Sequence, residues 1–121
     1  MPPKRGAAVR VVFDEDSWSE DMARTTPNGQ AVAEATRRDY EGAGCPGEDL
    51  LACDGEARDG TRLPECAKVY LPSPDGKFGM VFDIDRQAGS LVLAYLAFGT
   101  RHHPKESRAP SVYEIAHRRL N

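Results

Sequence analysis

All three histidines of this 121-residue chain, and the largest excess of basic over acidic residues, lie within its last 23 residues. His102 and His103 directly follow Arg101, and His117 lies near the end of the chain. Histidine exchanges protons near neutral pH, and a guanidinium stabilises negative charge that develops in a transition state. Cleavage of RNA without a metal needs a base for the 2′-hydroxyl, an acid for the 5′-leaving oxygen and cations beside the phosphorus. These residue types fit that chemistry.

Tyr113 precedes His117 by four residues in a segment predicted to be helical, so the two side chains can share one helix face. If a strand ends at Arg101 and the helix packs beside it, the candidate residues converge on one surface. Each also has a structural explanation. His117 can stabilise a helix C-terminus, Tyr113 can be an aromatic residue at the edge of the core, and Arg101 can pair with Glu114. The histidines at 102 and 103, which precede a proline, can belong to an ordinary polar loop.

Neither a metal site nor another cofactor is expected. The adjacent histidines 102 and 103 lack a nearby cluster of Asp or Glu that would complete a divalent site. Cys45, Cys53 and Cys66 are separated by 7 and 12 residues, form no C-x-x-C motif and have no histidine near them, which is poor spacing for zinc. We therefore predict three thiols that neither bind metal nor form obligatory disulfides.

The charges are distributed unevenly along the chain. Residues 1–60 contain 7 Lys and Arg against 13 Asp and Glu, whereas residues 61–121 contain 9 against 6. The net charge is −3 and the isoelectric point is about 5.6. An acidic half and a basic end indicate either internal complementarity or a local site for an anion.

The length and composition predict one globular domain over residues 1–121, with a loose tail at residues 1–6. No apolar run approaches a membrane span, and no apolar segment follows the basic N-terminus as a signal peptide requires. We therefore expect a cytoplasmic protein with no membrane partner.

The first half has the pattern of one strand, two helices and then a long loop or insertion at residues 43–64. The sequence Ser17-x-x-Glu20 matches a capping box, and Pro27-Asn-Gly29 predicts a break between the helices. The predicted elements are a strand at Ala7–Phe13 and helices at Trp18–Arg24 and Gln30–Glu41.

The second half has the pattern of three strands and a helix. Phe78–Ile84 alternates large apolar residues with others, and Leu91–Phe98 is apolar on both faces, which is typical of a central strand. The other predicted elements are a strand at Ala67–Leu71 and a helix opened by Pro110 and Ser111 that runs through Leu120. The order β-α-α-β-β-β-α predicts an α+β fold, with a small, mostly antiparallel sheet and the helices on one face.

Three segments, Lys77–Asp85, Leu91–His102 and Ser111–Leu120, resemble the RelE/ParE superfamily of type II toxins. The resemblance implies a small protein that cleaves messenger RNA on the ribosome or, in the ParE branch, poisons DNA gyrase. Arg101 matches an arginine that contacts the scissile phosphate, and Tyr113 is similar in place to a tyrosine that helps activate the 2′-hydroxyl. The three histidines lie where some members have an acid or a base. The chain departs from the family at Gly79, where the family has an arginine, and in its acidic isoelectric point.

The expected function is therefore that of a toxin-type, metal-independent endoribonuclease acting on messenger RNA, with Arg101, His102, His103, Tyr113 and His117 as its site. The expected partners are RNA or the ribosome and a cognate antitoxin protein. The alternative is a non-catalytic module on the same fold that binds nucleic acid or protein, including a gyrase-directed or inactive toxin. Whether the chain is an enzyme stays open at this point.

Overall fold

A computed structural model describes residues 8–53, 66–73, 76–87, 90–101 and 111–120. The predicted tail, and the part of the predicted loop from residue 54 onward, lie outside the described residues. The elements in chain order are β1 (Ala8–Val12), α1 (Glu15–Arg24), α2 (Pro27–Ala43), β2 (Cys45–Pro46), a 3₁₀ turn (Gly47–Asp49), β3 (Leu51–Ala52), β4 (Cys66–Ser73), β5 (Gly76–Gln87), β6 (Ser90–Thr100) and α3 (Val112–Leu120). The α+β class is confirmed. None of the described helices is long and apolar enough to cross a membrane.

The six strands form one sheet in the order β2-β1-β6-β5-β4-β3. The predicted antiparallel pairing of the three long strands is confirmed, because β4 pairs with β5 and β5 with β6 in that direction. The sheet is mostly antiparallel, as predicted, but it is mixed, because β1 pairs with β6 in parallel. Two helices and four strands separate β1 from β6 in the chain, so no tight turn dictates their relative direction.

The start of the predicted loop is not irregular. Its residues form β2 and β3, which pair with β1 and β4 at opposite edges of the sheet. Pro46 and Leu51 are five residues apart, a reach of at most about 18 Å, whereas the outer strands of a flat six-stranded sheet lie about 24 Å apart. The sheet is therefore curled, and α2 lies in its concave face, in contact with both β1 and β4.

Both N-terminal helices begin earlier than predicted. The Asp14 side chain caps α1 by accepting a hydrogen bond from the backbone nitrogen of Ser17 at 3.0 Å, so Ser17 lies within the first turn rather than at the cap. Thr26 caps α2 in the same way, and Pro27 takes the first helical position, where a missing N–H costs nothing. The predicted break at Pro27 therefore lies just before that residue. Gly44 ends α2 with a φ of 80°.

The helices lie on both faces of the sheet, not on one as predicted. Alternate residues of β5, including Met80 and Phe82, pack in one cluster with Trp18 of α1 and Tyr40 of α2. The residue between them, Val81, packs in a second cluster with α3. Because successive strand residues point to opposite faces, α3 covers the face opposite α1 and α2.

A β-bulge in β6 places two consecutive side chains on the face of the sheet that α3 covers. The register shifts so that Val81 faces Ala97 and Phe82 faces Tyr95, which leaves Leu96 as an extra residue. Leu96 and Ala97 consequently both pack in the cluster under α3. Leu120, the last residue of α3, is 39% exposed.

Candidate functional site

Two side chains of β4 lie on the α3 face of the sheet. Ala67 and Val69 belong to the core beneath α1 and α2, so Lys68 and Tyr70, which alternate with them, point the opposite way. Tyr70 is 43% exposed, which leaves much of its ring open to solvent. The strand therefore presents a cation and a phenol side by side.

A pair of glycines makes room beside Tyr70. In the sheet, Tyr70 lies opposite Gly79 of β5, and Gly79 lies opposite Gly99 of β6. A Cβ atom on Gly79 would come within 3.0 Å of Cγ of Arg101, and one on Gly99 would touch the Cβ atom of Val112 at 3.7 Å. The absent side chains let the stem of Arg101 and the first turn of α3 lie close against the sheet. An arginine at position 79, as in the toxin family, would displace Arg101.

The guanidinium of Arg101 stacks on the ring of Tyr70, with Cζ 3.9 Å from the ring centroid. This is the geometry of a cation–π contact, and it holds the guanidinium against the sheet. Its Nε is buried and has no hydrogen-bond partner among the described residues. The ion pair recorded for Glu114, the alternative partner of Arg101, is with Arg118 of the same helix at 3.7 Å.

Tyr113 completes the group from α3. The ammonium nitrogen of Lys68 is 5.3 Å from the ring centroid of Tyr70 and 5.3 Å from that of Tyr113. We call Lys68, Tyr70, Arg101 and Tyr113 the Tyr70 site. It brings together two cations and two phenols from β4, from the end of β6 and from α3.

The pKa values of the two phenols are shifted in opposite directions. Partial burial raises the pKa of Tyr70, but hydrogen bonds and charge from Lys68 and Arg101 outweigh it and lower the pKa below its ordinary value. Burial raises the pKa of Tyr113 to about 12, and the neighbouring Tyr70 adds to the rise. A pair of titratable groups whose pKa values are pushed apart is typical of an acid and a base that act together.

A buried ion pair fixes α3, and with it Tyr113, at the edge of the sheet. β1 pairs with β6 only as far as Ala94, so beyond that point the edge of β6 lacks a neighbouring strand among the described residues. There the carboxylate of Asp21 accepts a hydrogen bond from the backbone nitrogen of Phe98 at 3.0 Å, and Arg119 of α3 donates to the carbonyl of Leu96 at 2.6 Å. The two side chains thus replace a strand.

The same carboxylate links three elements. Asp21 is fully buried on α1, Arg119 donates to both of its oxygens at 2.8 and 2.9 Å, and Tyr95 of β6 donates at 2.5 Å. The nearby charge of Asp21 and burial raise the pKa of Tyr95 well above its ordinary value, with burial the larger cause. Ser111 caps the other end of α3 by accepting a hydrogen bond from the backbone nitrogen of Glu114 at 3.2 Å.

The structure unites two of the five residues predicted as the site. Arg101 and Tyr113 both belong to the Tyr70 site. His117 is exposed, one turn beyond Tyr113 on α3. His102 and His103 lie outside the described residues.

Sequence reasoning missed Lys68 and Tyr70. Within Ala67–Leu71 they alternate with apolar residues, a pattern that indicates the solvent face of a strand as readily as a site. The signal that could have indicated them is Gly79, a glycine within a predicted strand. It lies directly opposite Tyr70 and opens space on that face of the sheet.

Among the described residues, no group of three or more His, Cys, Asp and Glu side chains is placed to hold a metal ion. The chemistry available at the Tyr70 site is that of cations and phenols. Comparison with protein-family models, with curated proteins and with solved structures finds no match to this chain.

Proposed function

We propose that the protein is a toxin-type, metal-independent endoribonuclease, and that the Tyr70 site binds and cleaves the RNA phosphodiester. The resemblance to the RelE/ParE superfamily and the convergence of Arg101 with Tyr113 support this proposal. RNA or the ribosome and a cognate antitoxin are its proposed partners.

The orientation of Arg101 is the observation that carries the proposal. An arginine with a buried Nε that lacks a partner in the described part of the chain is costly unless an acceptor fills the position. A phosphate oxygen is such an acceptor once a movement of the side chain exposes Nε, because the charge of the phosphate strengthens each hydrogen bond from a guanidinium. Lys68 supplies a second positive charge, 5.3 Å from the ring centroids of both Tyr70 and Tyr113.

The chemistry follows from the two shifted pKa values. Tyr70, with its lowered pKa, accepts the proton of the 2′-hydroxyl as that oxygen attacks the phosphorus. Tyr113 stays protonated to about pH 12, so in this proposal it donates a proton to the departing 5′-oxygen instead of activating the 2′-hydroxyl, as the family resemblance implies. Arg101 and Lys68 offset the negative charge that builds on the phosphoryl oxygens. The products are a 2′,3′-cyclic phosphate and a free 5′-hydroxyl.

The second candidate is a module that binds RNA through the same site without cleaving it. The exposed ring of Tyr70 beside two cations favours this function, because nucleic-acid bases stack on aromatic rings and phosphates bind cations. It makes no use of the opposite pKa shifts of the two tyrosines.

The test has two assays. Purified protein is incubated with end-labelled single-stranded RNA in the presence of a metal chelator, and in parallel, without chelator, with ribosomes that translate a defined message. We expect cleavage products that end in a 2′,3′-cyclic phosphate and that disappear when the 2′-hydroxyl is methylated. Arg101→Ala lowers the rate about 10²–10³-fold, because one contact to transition-state charge is lost. Tyr70→Phe lowers it about 10²–10⁴-fold through lost proton transfer.

The matched control is Arg118→Ala, which removes an arginine that is 69% exposed on α3 and leaves the rate unchanged. Equal cleavage by Arg101→Ala and the unaltered protein contradicts the assignment of the site. RNA that is bound but left intact in both assays supports the binding module instead. If the protein neither binds nor cleaves RNA in either assay, both functions are wrong.

A further inference from the structure

Two of the three cysteines face each other across neighbouring strands. β3 pairs with β4 so that Leu51 lies opposite Lys68 and Ala52 opposite Ala67. One step further in the same antiparallel register, Cys53 lies opposite Cys66. The backbone nitrogen of Cys53 donates to the carbonyl of Cys66 at 3.1 Å, which extends the pairing to these two residues.

The two side chains share the face of the sheet that carries α3. Directly opposite residues of an antiparallel pair point the same way, and both cysteines pack against the cluster formed with Val112 and Ile115. In a hydrogen-bonded pair the two Cα atoms lie about 5.5 Å apart. That separation falls within the range of about 4.4–6.8 Å found in disulfides. The Cβ atoms of such a pair lie up to about 5.5 Å apart, against about 3.5–4.5 Å in a disulfide, so a bond between the sulfurs requires a local approach of about 1 Å at this end of the strands.

We propose that Cys53 and Cys66 are a redox-responsive pair of thiols that form a reversible disulfide beside the Tyr70 site. Cys53 is half-buried and is therefore reached first by an oxidant, while Cys66, 3% exposed, resolves the product. With a peroxide, the sulfur of Cys53 displaces one oxygen of the O–O bond and becomes a sulfenic acid, and the first water leaves. The sulfur of Cys66 then attacks that sulfur, the S–S bond forms, and the second water leaves. The two thiols lose two electrons and two protons, and the peroxide is reduced to two waters.

The third cysteine lies outside this chemistry. Cys45 is fully buried in the core on the opposite face of the sheet, in the cluster that contains Tyr40. Burial raises the pKa of the Cys45 thiol, which further lowers its reactivity because the thiolate is the reactive form. The chain thus provides an internal control thiol.

The disulfide would act on Tyr113. Cys53 and Tyr113 pack against the same cluster, and the thiol of Cys53 is near enough for its charge to contribute to the raised pKa of Tyr113. A disulfide carries no ionisable proton, so oxidation removes that contribution and repacks the side chains next to the phenol. This regulatory step rests on the proposed function, whereas the formation of the disulfide does not.

The test treats the reduced full-length protein with hydrogen peroxide and then traps and counts its thiols in denaturant. We expect the count to fall from three to one, with a loss of two hydrogens in mass and a proteolytic fragment that joins the segments around Cys53 and Cys66. Dithiothreitol restores all three. Cys53→Ser and Cys66→Ser each prevent the bridge, and Cys45→Ser, the matched control, leaves it intact. A bridge that includes Cys45, or oxidation of Cys53 to a sulfinic acid with Cys66 untouched, overturns the proposal.

A second measurement follows the ionisation of tyrosine by its ultraviolet absorbance, in reduced and oxidised protein and in matching Tyr113→Phe samples. The difference between each protein and its Tyr113→Phe variant gives the pKa of Tyr113. We expect oxidation to lower this pKa, and an unchanged pKa rejects the regulatory step. Failure of the proposed function is recognised separately. In that case the reduced protein cleaves no RNA, whether or not peroxide forms the disulfide.

Discussion

Two phenols beside the same two cations respond to them differently, and burial explains why. Tyr70 lies beneath Arg101 and is 43% exposed, so the cations stabilise its phenolate more than burial opposes it. Tyr113 is packed against the apolar cluster beneath α3, and burial dominates its titration. A difference of a few side-chain contacts thus separates the proposed base from the proposed acid.

The opposite shifts predict the pH dependence of cleavage. A raised pKa for Tyr113 keeps the acid protonated up to about pH 12, while the lowered pKa of Tyr70 places ionisation of the base below pH 10. The rate, measured as kcat/KM, therefore rises with pH until it passes the pKa of Tyr70, and it falls only as the pH approaches 12. Tyr70→Phe abolishes the rising limb. A rate that is independent of pH between 6 and 10 would contradict the role given to Tyr70.

The placement of Arg101 and Tyr113 on one surface could be predicted, because residue type, clustering and a family motif all indicated these two residues. Lys68 and Tyr70 could not, because their role depends on what lies across the sheet, and the sequence does not state which residue faces which. The participation of His102, His103 and His117 stays a prediction.

Among the elements, α3 is the one whose position depends on charge as well as on apolar packing. Its apolar residues Val112 and Ile115 fit over the bulge and the glycine pair, and Arg119 reaches around the edge of β6 to Asp21 on the opposite face. Sequence periodicity identifies an apolar stripe on this helix but gives no reason to expect an arginine beside it in the interior. The observed side chain of Arg119 is only 17% exposed.

Arg119→Ala is expected to lower the free energy of unfolding by about 3 kcal/mol, because it leaves the buried carboxylate of Asp21 without its main cation. Arg24, which lies 2.5 Å from the same carboxylate, limits the loss. The matched control is Arg118→Ala, one residue earlier and 69% exposed, which changes the stability by less than about 0.5 kcal/mol. Urea denaturation followed by circular dichroism measures both. Equal stability of the two variants would show that the ion pair does not hold α3.

The sequence predicted the start and end of elements less well than their existence. Both α1 and α2 were expected, but each begins several residues early, since Asp14 and Thr26 each cap the helix that follows. Several consecutive residues in each segment are suitable caps, and propensity alone does not choose among them.

For the whole molecule, the class and the three-stranded core followed from local patterns, whereas the sheet's outer part did not. Hairpins join β4, β5 and β6, so their neighbours and directions are fixed by short connections. The parallel pairing of β1 with β6, and the short strands β2 and β3 at the edges, involve residues far apart in the chain or runs of only two residues. Neither leaves a periodic signal in the sequence.

The overall charge sets the range over which RNA can be attracted. A net charge of −3 repels a polyanion at a distance, so attraction comes from local groups of cations, such as the two at the Tyr70 site. Affinity should therefore show a shallow dependence on salt, in contrast to proteins that are basic over their whole surface.

This predicts the salt response of single variants in RNA binding. For single-stranded RNA, each cation that contacts a phosphate contributes about −0.7 to the slope of log affinity against log salt. Lys68→Ala removes one such contact and makes the slope less steep by about that amount. Arg38→Ala, which removes an exposed cation of α2, the helix in the opposite face of the sheet, leaves the slope unchanged. Fluorescence anisotropy with a non-cleavable, 2′-methylated RNA at several salt concentrations measures the slopes, and a larger change for Arg38→Ala than for Lys68→Ala would place the RNA on the other face.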